Sequence, residues 1–312
     1  MNTPIETSPL VDEEYRKLIE DGRIEFITFH PSYSYEEFIE GLTVQVTADN
    51  KPSDSLQYIL KDGLFKLLCT RALVGAMGES CHLDPSSTSW REAYNKYLEI
   101  EPLEWDDVPK FVLIIDEINR GDISKILGEL VTLLEADKRL GAENELKARL
   151  PLSQCDFSVP QNVYIIATMN TADRSIALLD IALRRRFGFM QMEPNLDLVL
   201  DDSKNRNLNG MDDETRTLLK KSVNAIERLN KAISGDIALG RDKVIGHSFL
   251  FQVKDKKDVI FVWKHEIIPL LDEYCYGDET KENRLLFNDG DHCMISIDNI
   301  DEYLDEIINA RN

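Results

Sequence analysis

Phe111-Val-Leu-Ile-Ile-Asp-Glu-Ile-Asn-Arg-Gly121 is the stretch on which the fold turns. Its first five residues are a continuous apolar run bounded by Lys110 and Asp116, the pattern of a strand buried on both faces of a parallel sheet. Val163-Tyr-Ile-Ile-Ala-Thr168 repeats that pattern, and Ile24 to Phe29 alternates with β-branched and aromatic residues. Between the strands, Asp122 can cap a helix whose Ile123, Ile126, Leu127, Leu130, Val131 and Leu134 form one apolar face. Ile176 to Leu183 reads as a short helix, and Phe187 to Met192 as a further strand before Pro194. Strands alternating with helices predict an α/β layer structure with a mainly parallel sheet.

Working outward, residues 12–22 read as a helix stopped by Gly22, and residues 34–41 as a short helix capped by Ser32 or Ser34 and stopped by Gly41. Residues 43–56 have loop composition, 58–75 and 90–98 read as helices, and 141–162 as a loop or hairpin insertion. Beyond Pro194 the composition changes. Residues 195–213 are polar, the signature of a linker, followed by helices at 214–234 and 261–275 with an extended piece at 247–253. The expected organisation is an α/β core over 1–194, a linker over 195–213 and a small, mostly helical domain over 214–312.

The 312 residues carry a formal net charge of −21, which argues against a surface that coats nucleic acid or anionic membrane. A small basic loop could still touch DNA, because local potential decides such contacts. Cys69, Cys81, Cys155, Cys275 and Cys293 are scattered and include no C-x-x-C pair, so neither a zinc ribbon nor a disulfide framework is suggested. The N-terminus has no basic and apolar leader pattern and no apolar stretch approaches a membrane span, so the expectation is a cytoplasmic protein.

Polar residues gather where the apolar strands end, the edge at which open α/β sheets bind ligands. Asp116-Glu117 follows one strand directly, an arrangement that suits magnesium handling by the first carboxylate and water activation by the second. Met169-Asn-Thr-Ala-Asp-Arg174 follows another, placing Asn170 for a hydrogen bond to an attacking water or a γ-phosphate and Asp173 to orient a neighbouring group. Arg184-Arg185-Arg186 closes a short helix, from which arginines can reach a neighbouring subunit's phosphates. Each has a plain structural use when taken singly: a helix-capping acid, an Asx-turn, a solvated basic helix end.

Taken in order, D-E-I-N-R-G, M-N-T-A-D-R-S and L-D-x-A-L-R-R-R-F are similar to the McrB-like branch of AAA+ proteins, the motor family of modified-DNA-directed restriction systems. Residues 24–41 resemble that family's second strand and following helix, and Ile245 to Phe249 its lid segment. The resemblance implies an AAA+ P-loop NTPase-like parallel sheet followed by a helical lid. It also implies Asp116 as the magnesium-site acid, Glu117 as the catalytic carboxylate and Asn170 as the nucleotide sensor. Asn170 to Arg174 would form the signature loop, with Asp173 and Arg174 at the nucleotide, and Arg185 and Arg186 would act in trans on the next subunit. The implied cofactors are Mg²⁺ with ATP or GTP. The implied partners are further copies in a hexameric ring, an McrC-like activator or nuclease subunit, and DNA reached through the complex.

One departure stands out. The family's G-x-x-x-x-G-K-[ST] loop should precede the strand at 24–29, yet the 312 residues contain no Gly-Lys pair. The simplest expectation is a fragment whose first strand and phosphate-binding loop come from an upstream polypeptide. Removing that strand, which in AAA+ sheets lies between the strands read here at 163–168 and 187–192, predicts unpaired edges and exposed apolar surface. The alternative is a non-hydrolysing ring or regulatory subunit that lends Arg185 and Arg186 to a competent neighbour.

Overall fold

The computed structural model describes residues 9–45, 57–78, 81–171, 181–236 and 239–275. The chain divides into two compact units, Met1–Gly188 and Phe189–Asn312. Each has its own buried cluster of apolar side chains.

In the first unit, α1 (Pro9–Glu20) leads into β1 (Ile24–Thr28). A capping box starts α2 (Tyr35–Phe38): the Ser34 hydroxyl accepts from the Glu37 amide while the Glu37 carboxylate accepts from the Ser34 amide. The chain then turns straight into a hairpin, β2 (Glu40–Gln45) antiparallel to β3 (Gln57–Asp62). Gly41 is therefore a strand residue and not a helix stop, and residues 58–62, where a helix was expected, belong to β3. The break falls at Gly63, whose backbone lies so close to α2 that a Cβ there would sit 2.3 Å from the Phe38 carbonyl carbon. Its amide also donates to Ile39 O at 2.7 Å, so the helix α3 (Leu64–Met77) can begin only after it.

After α4 (Trp90–Tyr97) comes the apolar strand β4 (Phe111–Asp116). The Asp122 carboxylate accepts from the Lys125 amide and caps α5 (Ile123–Leu127). Gly128, at φ +51°, breaks that helix, and a 3-10 run (Gly128–Leu134) continues it. The apolar face survives the break, with Ile126, Leu130 and Leu134 all buried. The 141–162 insertion holds a small hairpin of β5 (Ala148–Arg149) and β6 (Asp156–Phe157), and is followed by β7 (Val163–Ala167) and α6 (Ile181–Arg184).

β1, β4 and β7 make a three-stranded parallel sheet in the order β1-β4-β7. Its two faces differ. Phe111, Leu113, Ile115 and Val163 are buried on the α3 side, each such side chain contributing about 1.5–3 kcal/mol. The register places Phe26, Ile114 and Ile166 in one row of the opposite face, where Phe26 is 60% and Ile166 56% exposed. No strand pairs with the outer edge of β7 among the described residues, and the expected strand at 187–192 does not form. An extended segment becomes a strand only where its amides find a ladder, and residues 187–192 pair with none of the described strands.

A buried ionic cluster fastens the β2–β3 hairpin to the rest of the unit. Lys66 Nζ of α3 lies 2.8 Å from Glu40 Oε2 and 2.7 Å from Asp62 Oδ1. The other oxygen of Glu40 accepts from the amides of Leu152 and Ser153, each at 2.9 Å.

The second unit is built on α7 (Asp213–Gly235), with Leu219, Val223, Ile226 and Ile233 buried along one face. Residues 195–213, expected as a polar linker, are folded into this unit: Leu196, Val199 and Leu208 join its core through two 3-10 turns. The expected extended piece at 247–253 is instead the short helix α8 (Ser248–Phe251). It is followed by α9 (Lys256–Val262) and, through a π turn, by α10 (Ile268–Cys275). Trp263 is fully buried and its indole donates to Ser222 Oγ at 3.1 Å. No helix among the described residues is long and apolar enough to cross a membrane.

Candidate functional site

The carboxyl end of the sheet carries the expected chemistry. Asp116 is the last residue of the middle strand, and the register sets it beside Thr28 of β1. On the β7 side, the hydroxyl of Thr168 donates a short bond to Asp116 Oδ1. Apolar rows thus give way to a polar row, Thr28, Asp116 and Thr168, at one end of the open face.

Glu117 follows in the left-handed conformation, φ 53° and ψ 45°, which costs a residue with a Cβ on the order of 1 kcal/mol. Local bonds hold it there. Its amide donates to Thr168 Oγ1 at 3.3 Å, and its carbonyl accepts from the Arg120 amide at 2.9 Å within a 3-10 turn (Ile118–Arg120). The Glu117 carboxylate reaches Arg120, with Oε2 3.2 Å from Nε. That contact is an ion pair off the line of the N–H, so Oε2 is buried without a hydrogen bond, as is Asn119 Oδ1. Asn119 Nδ2 donates to Asn170 O at 3.3 Å, which joins the acid turn to the turn after β7.

The structure therefore brings Asp116, Glu117 and the Asn170 turn together. Asp173 and Arg174 lie outside the described residues. Arg185 is exposed at the end of α6, whereas Arg186 is mostly buried and pairs with Glu135 of its own chain, Nη2 to Oε1 2.7 Å. Thr168, Asn119 and Arg120 carried no expected role. Their only sequence signal was their presence inside the strand-end motifs.

The residues fit one end of a magnesium–nucleotide complex. No cluster of three or more His, Cys, Asp or Glu side chains is placed to hold a metal among the described residues. Mg²⁺ commonly binds through one or two carboxylates with substrate phosphates and waters, a demand that one strand-end acid meets. Asn119 Oδ1, buried without a hydrogen bond, suits a bound water or cation, whereas Glu117 Oε2 already faces the Arg120 guanidinium. The phosphate end has no matching Gly-Lys loop within the 312 residues.

In the second unit, the side chain of Asn230 clasps Ile245, accepting from its amide at 2.6 Å and donating to its carbonyl at 2.9 Å. This presents the Gly246-His247-Ser248 turn, where His247 Nδ1 accepts from the Asn195 amide at 3.2 Å.

This strand-end arrangement matches a known class: residues 10–187 match the AAA domain of the dynein-related subfamily. Residues 221–283 match the α-helical lid domain of McrB, and the chain belongs to the AAA family as an McrB-like protein. It is similar to the type IV methyl-directed restriction enzyme EcoKMcrB subunit of Escherichia coli (strain K12), 35% identical over 272 residues, or 84% of this chain and 49% of that one. It is also similar to the type II restriction enzyme BsuMI component YdiS of Bacillus subtilis (strain 168), 33% identical over 92 residues, 27% of each chain. The chain thus spans about half the length of the first relative and about a quarter of the second.

Proposed function

We propose that this chain belongs to the nucleotide-hydrolysing motor of an McrBC-like restriction system acting in phage defence. The observation that carries the reading is the acid pair at the carboxyl end of the middle strand, linked to the Asn170 turn by Thr168 and Asn119. In this reading Asp116 binds the metal and Glu117 polarises the attacking water. Asn170 contacts that water or the γ-phosphate, and Asp173 and Arg174 complete the nucleotide side of the loop. Mg²⁺, held by Asp116 when bound, would supply positive charge against the charge that develops on the phosphates of ATP or GTP. The phosphate cradle is supplied by a polypeptide segment other than these 312 residues. Arg185, the exposed member of its pair, and Arg186, which also pairs with Glu135 of its own chain, act across a subunit interface. The assembly is a homo-oligomeric ring, a hexamer in the cytoplasm, working with an McrC-like activator or nuclease subunit and reaching DNA through the complex.

A second reading, a non-hydrolysing subunit that lends arginines to a competent neighbour, is supported by the lack of a Gly-Lys loop in the sequence. Mixing separates the two. In the assembled motor, Glu117→Gln should abolish turnover and spare nucleotide binding. Arg185→Ala with Arg186→Ala should lower turnover by about 10³-fold, the usual effect of losing an arginine finger. Rings containing both variants regain interfaces where intact acids meet intact arginines, so partial activity returns. Normal turnover in the Glu117→Gln motor would favour the second reading. Normal turnover in the arginine variant would make Arg185 a solvated helix end and Arg186 a structural partner of Glu135.

A further inference from the structure

Four bonds tie Thr168 to the acid-bearing segment, one to each residue from 115 to 118. Its amide donates to Ile115 O at 2.9 Å and its carbonyl accepts from the Ile118 amide at 2.9 Å. Any residue at this strand end could make those two. The other two need a hydroxyl: Oγ1 donates to Asp116 Oδ1 and accepts from the Glu117 amide at 3.3 Å. Only serine or threonine is short enough to stay at the strand end while both donating and accepting. Valine has threonine's shape and strand preference and can do neither.

We propose that Thr168 is the positioning residue of the acid pair, its hydroxyl fixing which carboxylate oxygen Asp116 presents and holding Glu117 in its left-handed backbone conformation. The proposal rests on the reading of Asp116 and Glu117 as the hydrolytic acids. With Oδ1 engaged by the hydroxyl, Asp116 would keep Oδ2 free of that bond for a cation such as Mg²⁺. Pinning the Glu117 amide sets the direction in which its side chain leaves the strand. A right-handed backbone at this residue would aim the carboxylate elsewhere. Asn119 adds a second link, to Asn170 O at 3.3 Å, so the acid turn and the turn after β7 are joined on both sides of Glu117. The plainer account of Thr168 is a β-branched residue ending a strand, and Thr168→Val preserves that role while removing the hydroxyl.

Two readouts decide the matter. In the 312-residue chain, amide hydrogen exchange at Glu117 should quicken about three- to tenfold in Thr168→Val, the loss of one modest hydrogen bond, while Ile118 keeps its protection. In the motor that contains this chain, kcat should fall about 10- to 100-fold with the nucleotide KM nearly unchanged, the usual cost of losing a group that orients a metal ligand. Thr168→Ser should restore both. Should Thr168→Val fold poorly, Thr168→Ala provides the same comparison. Wild-type protection and wild-type kcat in the valine variant would overturn the proposal, as would a serine variant no better than valine. A wild-type motor with no turnover at all would refute the motor reading instead, and exchange at Glu117 would still decide whether the hydroxyl holds that backbone.

Discussion

Glu40→Ala removes the centre of the buried cluster that fastens the β2–β3 hairpin, and its cost can be worked from the geometry. Glu40 is fully buried, with one oxygen 2.8 Å from Lys66 Nζ and the other on two backbone amides at 2.9 Å. Breaking a buried ion pair by deleting one partner costs about 3–5 kcal/mol, and each orphaned buried amide about 1–3 kcal/mol. The terms do not add in full. Asp62 remains 2.7 Å from Lys66 and is 21% exposed, so both solvent and a second carboxylate soften the loss. The expected destabilisation is about 3–4 kcal/mol, a large share of an ordinary domain's stability. The assay is urea unfolding followed by the fluorescence of Trp90 and Trp105. Trp263→Phe in the background makes the signal report the first unit alone. Replacing the pair together, Glu40→Leu with Lys66→Met, should cost less than Glu40→Ala by itself. A loss below about 1 kcal/mol would refute the assignment of a net stabilising role to the cluster.

Three further outcomes are expected. Burial pushes the Glu40 carboxyl up, but bonds from Lys66, Ser153 and Leu152 outweigh it and hold the group below its usual value. Burial likewise opposes the charge on Lys66, yet Asp62 and Glu40 hold it above the usual lysine value. Glu40 therefore stabilises fully above its unfolded value of about 4.3 and loses that contribution as acid takes the pH through its folded value. Lys66 stabilises fully below about 10.4 and loses its contribution as alkali passes its raised value, so the contribution of this pair should be constant between these limits. A Glu40→Ala chain that keeps the same acid limb would contradict this account. Gly63→Ala forces a Cβ to 2.3 Å from the Phe38 carbonyl carbon and should lower stability by about 1–3 kcal/mol in the same unfolding assay. Calorimetry with Mg²⁺ present should show weak or no binding of ATP and GTP by the isolated chain, and micromolar affinity would refute that expectation.

Much of the sheet was legible because β4 and β7 are continuous apolar runs; these read as strands buried on both faces, but in the structure one face of β7 is exposed at Tyr164 and Ile166. The acid pair and the Asn170 turn were legible for the same reason, since they begin where those runs stop. Tyr58 to Leu60 was misread because a short apolar run fits helix and strand alike, and the choice was made by pairing with residues 40–45. Phe187 to Met192 failed in the opposite sense, as a strand pattern without a ladder partner. Residues 195–213 looked like a linker because polar residues outnumber apolar ones there, and only the folded unit shows that Leu196, Val199 and Leu208 are buried in its core. Thr168 and Asn119 were unreadable because their significance lies in bonds to residues roughly fifty positions away.

The open face of the sheet has a consequence for every measurement made in solution. Phe26, Tyr164 and Ile166 present apolar surface on the same side, and among the described residues no strand pairs with the outer edge of β7 beside it. Surfaces of that kind favour self-association. Association that favours the folded form draws its free energy from protein concentration, so the unfolding midpoint becomes a function of how much chain is in the tube. Stabilities of variants are then comparable only at matched concentration, and a dilution series measures how much of the apparent stability is borrowed from neighbouring molecules.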